Sequence, residues 1–106
     1  MRLKQLCSLF AMFAATTVMA DVNVDETNFP DANFRKFIKS EWYGSDGVLT
    51  SDEIAEVINI DVSRRNIQSL KGIEYFTAVS TLNCKTNQLT TLDLSRNKEL
   101  RALDCS

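Results

Sequence analysis

Apolar residues between Val57 and Ser106 recur in a pattern that is neither helical nor simply alternating. Three segments align: Val57-x-x-Ile60-x-Val62, Val79-x-x-Leu82-x-Cys84 and Leu100-x-x-Leu103-x-Cys105. Ile60 and Leu82 lie 22 residues apart, Leu82 and Leu103 21. A unit this short cannot bury an apolar face alone. It has to stack on its neighbours as one coil of a solenoid.

Inside each unit, alternate residues point to opposite sides of a short strand. Ile60/Val62, Leu82/Cys84 and Leu103/Cys105 are therefore expected to face inward on parallel strands. Ile67, Leu70, Ile73 and Phe76 supply the remaining rungs of the first coil, and Leu89, Leu92, Leu94 and Leu100 those of the second. Burying each is worth roughly 1.5–3 kcal/mol. Asn87, three residues after Cys84, sits where a turn needs an amide to bond free backbone groups. The first coil has Arg65 there and Asn66 one residue late, which predicts an irregular turn. Gly72 permits a tight bend in the first coil. The second coil repeats the motif within itself, Leu89-x-x-Leu92-x-Leu94-x-x-Asn97-x-x-Leu100, which predicts an extended outer segment in place of a helix. Period and motif are those of leucine-rich repeats, about two and a half of them across 57–106.

The first twenty residues read differently. Arg2 and Lys4 precede a run, Leu6 to Ala15, that is apolar except for Ser8, and Val18-Met19-Ala20 ends it before Asp21. That is the layout of a secretory signal peptide, 1–20, too short for a permanent membrane anchor. Cleavage would leave 86 residues and remove two of twelve basic residues but none of the fourteen acidic ones, for a net charge of −4. An acidic chain without a basic cluster argues against nucleic acid and against anionic lipid. Cys84 and Cys105 alone remain, too few for a disulfide scaffold and without zinc spacing. They are expected on adjacent rungs as stacked free thiols, behaving as small hydrophobes; a disulfide between them is the alternative.

Residues 21–56 predict an extended lead-in and a helix–turn–helix cap. Asp31, after Pro30, is placed to cap a helix. Phe34, Phe37, Ile38 and Trp42 then fall on one helical face, and Trp42 with the phenylalanines is expected to cover the first repeat. Gly44 and Asp46-Gly47 break the helix. Thr50 with Glu53 forms a capping box, and Ile54, Val57 and Ile58 supply the second buried face. Asp46-Gly47-x-Leu49-Thr50-x-x-Glu53 also matches the second half of a calcium-binding EF-hand loop. The first half fails: Trp42 and Gly44 stand where oxygen ligands belong. Asp46, Thr50 and Glu53 are thus weak calcium candidates, and a degenerate loop retained as structure, with no cofactor, is the expectation.

The run from Asn28-Phe29-Pro30-Asp31 through Ile73-Glu74-Tyr75-Phe76 and Leu82-Asn83-Cys84 to Asn87-Gln88-Leu89-Thr90-Thr91-Leu92-Asp93-Leu94-Ser95 resembles bacterial secreted leucine-rich-repeat proteins of internalin-like type. The resemblance implies an α+β fold, a helical N-terminal cap followed by a short solenoid of parallel strands. It also implies a secreted or cell-surface protein whose repeats bind a protein or glycan ligand, in adhesion or surface interaction. Enzymatic activity is not expected: the chain has no histidine to activate a nucleophile, no G-x-S-x-G and no phosphate loop. Candidate ligand-binding residues are those pointing away from the core on the inner strands: Asn59, Asp61, Thr81, Asn83, Lys85 and Asp104. The chain stops at Cys105-Ser106, partway through a third repeat. Two alternatives to a binding module follow. It supplies the cap and first repeats of a larger surface solenoid, or it is a truncated fragment without independent function.

Overall fold

The computed structural model describes residues 20–106. The leader reading therefore lies outside the described residues except for Ala20. No helix among the described residues is long and apolar enough to cross a membrane.

The helical segment opens with a pairing that the sequence reading did not anticipate. Strand β1 (Val22–Asn23) runs antiparallel to β2 (Val48–Leu49), with Val22 opposite Leu49. Between them lies α1 (Ala32–Ser40). The Asp31 carboxylate starts that helix by accepting from the backbone N–H of Asn33 and Phe34 at 2.9 and 3.0 Å. Phe34, Phe37 and Ile38 form its buried face. The helix ends at Ser40, whose hydroxyl donates to Phe37 O at 2.6 Å. Gly44 then packs on the last turn so closely that a Cβ there would lie 2.3 Å from Ile38 O.

This early stop corrects one expectation. Trp42 is outside the helical phase and 59% exposed; its neighbour Tyr43 is buried and takes the place against Phe76, ring centroids 5.8 Å apart. Helix α2 (Ser51–Ala55) is likewise short. Both halves of its capping box form: Glu53 N–H donates to Thr50 Oγ1 and Thr50 N–H to Glu53 Oε1. Ile54 and Val57 are buried, but Ile58, past the helix end, is 43% exposed. Ile58 contributes its carbonyl instead, accepting from Ser80 N–H and Thr81 N–H.

The repeats build a parallel three-stranded sheet of β3 (Asn59–Asp61), β4 (Thr81–Asn83) and β5 (Ala102–Asp104). Ile60, Leu82 and Leu103 share one register line. The ladder runs on into the turns through Val62 N–H to Asn83 O and Cys84 N–H to Asp104 O, both 2.8 Å. Ile60, Val62, Ile67, Leu70, Ile73, Phe76, Val79, Leu82 and Cys84 are buried, while Leu89, Leu92, Leu94 and Leu100 are half-buried against them. Leu103 and Cys105 hold the inward register positions yet remain exposed. The outer side of the first coil carries a short 3-10 helix, Ile73–Tyr75, entered through Gly72 at φ 109°. The outer side of the second coil is, as expected, without helix, but it crosses in turns and does not pair as a strand.

A second aromatic, beside Tyr43, joins the helical segment to the coils. Phe29 is fully buried, edge-on to Phe34 at 5.7 Å and tilted against Tyr75 and Phe76 at 5.8 and 6.3 Å.

Candidate functional site: the inner face of the parallel strands

Parallel register converts the 21- and 22-residue spacings into rows. Asn59, Thr81 and Ala102 form one row; Asp61, Asn83 and Asp104 form the next. Neighbouring strands lie about 4.8 Å apart, so each row presents side chains at that interval. The rows line a shallow depression of about 330 Å³. Of the six sequence-derived candidates, Asn59, Asp61, Thr81, Asn83 and Asp104 line it; Lys85 is half-buried beyond the end of β4.

The hydrogen bonds show what these side chains do for the backbone. Asp61 Oδ1 accepts from Ser63 N–H and from the Ser63 hydroxyl, at 3.0 and 2.7 Å. Asp104 repeats this with Ser106 at 3.2 and 2.9 Å, and Asn83 Oδ1 accepts from Lys85 N–H at 3.2 Å. An Asx side chain that captures the N–H two residues on turns the chain out of the strand. These residues therefore close each strand, and the two carboxylates line the depression. Thr81 Oγ1 donates to Asn59 Oδ1 across the strands.

Serine donors hold the exposed carboxylates firmly ionised. The Ser63 hydroxyl and N–H keep the Asp61 carboxyl below its usual range, with Arg65 and Lys85 adding smaller effects. Ser106 does the same for Asp104, and Ser95 for Asp93 on the outer side. The inner face is thus polar and anionic at neutral pH.

Behind the strands lies a second set of functional side chains, the turn amides. Asn87 Oδ1 accepts from Arg65 N–H and Ile67 N–H, both at 3.0 Å, and its Nδ2 donates to Val62 O and Cys84 O. One amide thus holds the irregular first turn, where Arg64 and Asn66 both take positive φ, 58° and 57°. The sequence-derived role of Asn87 is correct, and its reach is larger than one turn. Asn97, inside the internal copy of the motif, was readable as a second such residue. It is buried and donates to Ile73 O and Phe76 O of the preceding coil at 2.9 and 3.0 Å.

The thiols of Cys84 and Cys105 are both free, Cys84 buried and Cys105 exposed. Burial, with the neighbouring Cys105 second, pushes the Cys84 thiol up to about 12. Protonated at neutral pH, it is packing rather than a nucleophile.

At the calcium candidates, Asp46 Oδ1 accepts from Val48 N–H at 3.1 Å, while Thr50 and Glu53 are engaged in the capping box. Gly47 adopts φ 81°. Among the described residues no three His, Cys, Asp or Glu side chains cluster as a metal site.

No protein-family profile matches the chain. Over 71 residues it is 34% identical to internalin J of Listeria monocytogenes serotype 4b, a match covering 65% of this chain and 8% of internalin J. The functional domain of InlJ from Listeria monocytogenes, which includes a cysteine ladder, superposes with a TM-score of 0.67 at 26% identity. That match covers 81% of this chain and 19% of the InlJ chain. The internalin inlF of Listeria monocytogenes superposes at 0.70 with 27% identity, over 88% of this chain and 27% of its own. Internalin C2 of the same species superposes at 0.71 over 87% and 42%; at 18% identity this is a likeness of fold alone. The chain therefore spans a small part of the proteins it matches. In repeat period, strand register and sequence, it is similar to the internalins, which it resembles as a leucine-rich-repeat chain.

Proposed function

We propose that this chain is an exported, non-catalytic interaction module. Residues 1–20 direct export to the cell surface or medium, 21–56 cap the solenoid, and the inner face of 57–106 docks a protein partner. The observation that carries this reading is the in-register pair of rows, Asn59/Thr81 and Asp61/Asn83/Asp104, exposed on a rigid parallel ladder. Concave repeat faces are the usual binding surface of such solenoids. The row carries carboxylates held ionised and no large aromatic, so it suits a partner segment bearing Lys or Arg.

A photo-crosslinking residue placed at Thr81 tests this against one placed at Lys98 on the opposite side. A specific adduct with one surface protein from Thr81 and not from Lys98 is expected. Equal labelling from both sites sinks the reading. N-terminal sequencing of the exported chain is expected to begin at Asp21. The turn at Asp46–Glu53 acts as structure on this reading, because a hard cation wants six to eight oxygens. A calcium titration is then expected to give no saturable heat.

The share of each relative that is matched favours a second reading, in which the chain contributes the cap and first coils of a longer solenoid. Its partner would then contact further coils as well.

A further inference from the structure

A cavity larger than the inner-face depression lies away from it. It is a groove of about 600 Å³ on the outer side, between the 3-10 helix of the first coil and the turn segment of the second. That volume lies within the range of small-ligand sites.

One wall is Tyr75. Its hydroxyl donates to Asn28 Oδ1 at 3.1 Å and its ring leans on buried Phe29, so the half-buried ring is fixed in place. Leu92, half-buried, faces the groove from the second coil. Lys71 and Arg96 also line it, and neither side chain makes a hydrogen bond or ion pair among the described residues. Glu74 and Asp93 supply the acceptors. Glu74 spends Oε1 on Gly72 N–H, and Asp93 spends Oδ1 on Ser95; each keeps its other oxygen.

Two cations and two carboxylates sum to no formal charge, so an ion of either sign gains little net attraction here. An apolar ligand would strip water from four charged groups without replacing it. A ligand with hydroxyls in both roles satisfies the donors and acceptors at once, and its C–H faces suit a fixed aromatic ring and a leucine. We propose that this outer groove is a binding site for a neutral saccharide chain, separate from the inner-face protein site.

The test is a two-dimensional NMR titration of the folded chain with neutral oligosaccharides built from glucose, galactose and N-acetylglucosamine, and with an oligogalacturonate as the charged control. At least one neutral oligosaccharide is expected to shift the amides of Lys71–Tyr75 and Thr91–Arg96 saturably. Lys71→Ala with Arg96→Ala should weaken that binding by about tenfold or more. Thr91→Trp, which fills the groove from an exposed position, should abolish it. Asn83→Ala on the inner face should leave it unchanged and, on the proposed function, weaken protein docking. The proposal is overturned if no neutral oligosaccharide binds at millimolar concentration, if shifts map to the inner face, if the groove variants bind like the parent, or if oligogalacturonate binds more tightly than every neutral chain.

Discussion

The carboxylate of Asp31 reaches 37 residues along the chain to accept the backbone N–H of Gln68 at 2.8 Å. The same Oδ2 accepts from Ser69 N–H at 3.2 Å, while Oδ1 caps α1 through Asn33 and Phe34. One side chain thus fixes both the start of a helix and the bend of the first coil beneath it. Asn33 Nδ2 to Asn66 O adds a parallel tie at 3.0 Å.

Asp31→Ala should therefore cost more than an ordinary cap. A lost cap is worth about 0.5–2 kcal/mol, and the bonds from Gln68 and Ser69 to a charged acceptor add about 1.5–3 kcal/mol. Asp31→Asn keeps one carbonyl oxygen and should fall between the parent and the alanine variant. Urea unfolding of the three proteins checks the order. Equal losses for Asn and Ala would mean that a single retained oxygen holds neither the helix start nor the coil.

Asn87 should be nearly as sensitive, for a different reason. Its amide accepts from two N–H groups of the first turn and donates to carbonyls of both coils. Asn87→Ala leaves these groups short of partners at about 1–3 kcal/mol each. Asn87→Asp preserves the accepting oxygen but turns a second oxygen toward Val62 O and Cys84 O. In thermal melts the Asn87→Asp variant should unfold no higher than the Asn87→Ala variant. Rescue by the aspartate would show that the donated bonds are dispensable.

The coils were legible because a repeat of fixed length leaves one answer for which residues face inward. Ile60, Val62, Leu82 and Cys84 are buried as the spacing demands. Asp31 and the Thr50/Glu53 box were legible because caps are local chemistry. Trp42 and Ile58 were misplaced because periodicity was carried past helix ends that tertiary packing decides. Gly44 against Ile38 stops α1 before Trp42 comes into phase. The β1–β2 pairing was missed since two-residue strands leave no periodic trace. The inner-face rows followed from register, whereas the outer groove depends on how two unlike coil backs meet.

Gly72 offers a contrast with Gly47. At Gly72, φ is 109° and an added Cβ would lie 2.1 Å from Phe29 Cδ1, within the ring that joins the two segments. Gly47 has φ 81° but open space around it. Gly47→Ala should cost only the left-handed backbone term of about 1–2 kcal/mol. Gly72→Ala should cost that much and also displace Phe29, destabilising by about 3 kcal/mol or more. Phe29→Leu in the Gly72→Ala background should restore part of the loss relative to simple addition, as a double-mutant cycle would read. Strict additivity of the two changes would remove the steric explanation.

Asp61 gives the pH prediction. Its carboxyl titrates below 3.8, chiefly because the Ser63 hydroxyl and then the Ser63 N–H bond the ionised form. A depressed folded-state pKa favours the fold above the ordinary aspartate range, and that contribution is lost as pH falls through the lower, folded value. The carboxylate is almost fully exposed, so solvent screening keeps the energy small and the titration itself is the better readout. Carbon-detected NMR of the side-chain carboxyls should show Asp61, Asp93 and Asp104 all titrating below the ordinary aspartate range. Ser63→Ala should move Asp61 upward and leave Asp93 in place, because Asp93 depends on Ser95. If Asp61 stays low in that variant, the retained backbone N–H at position 63, with Arg65 and Lys85, rather than the serine hydroxyl holds it ionised.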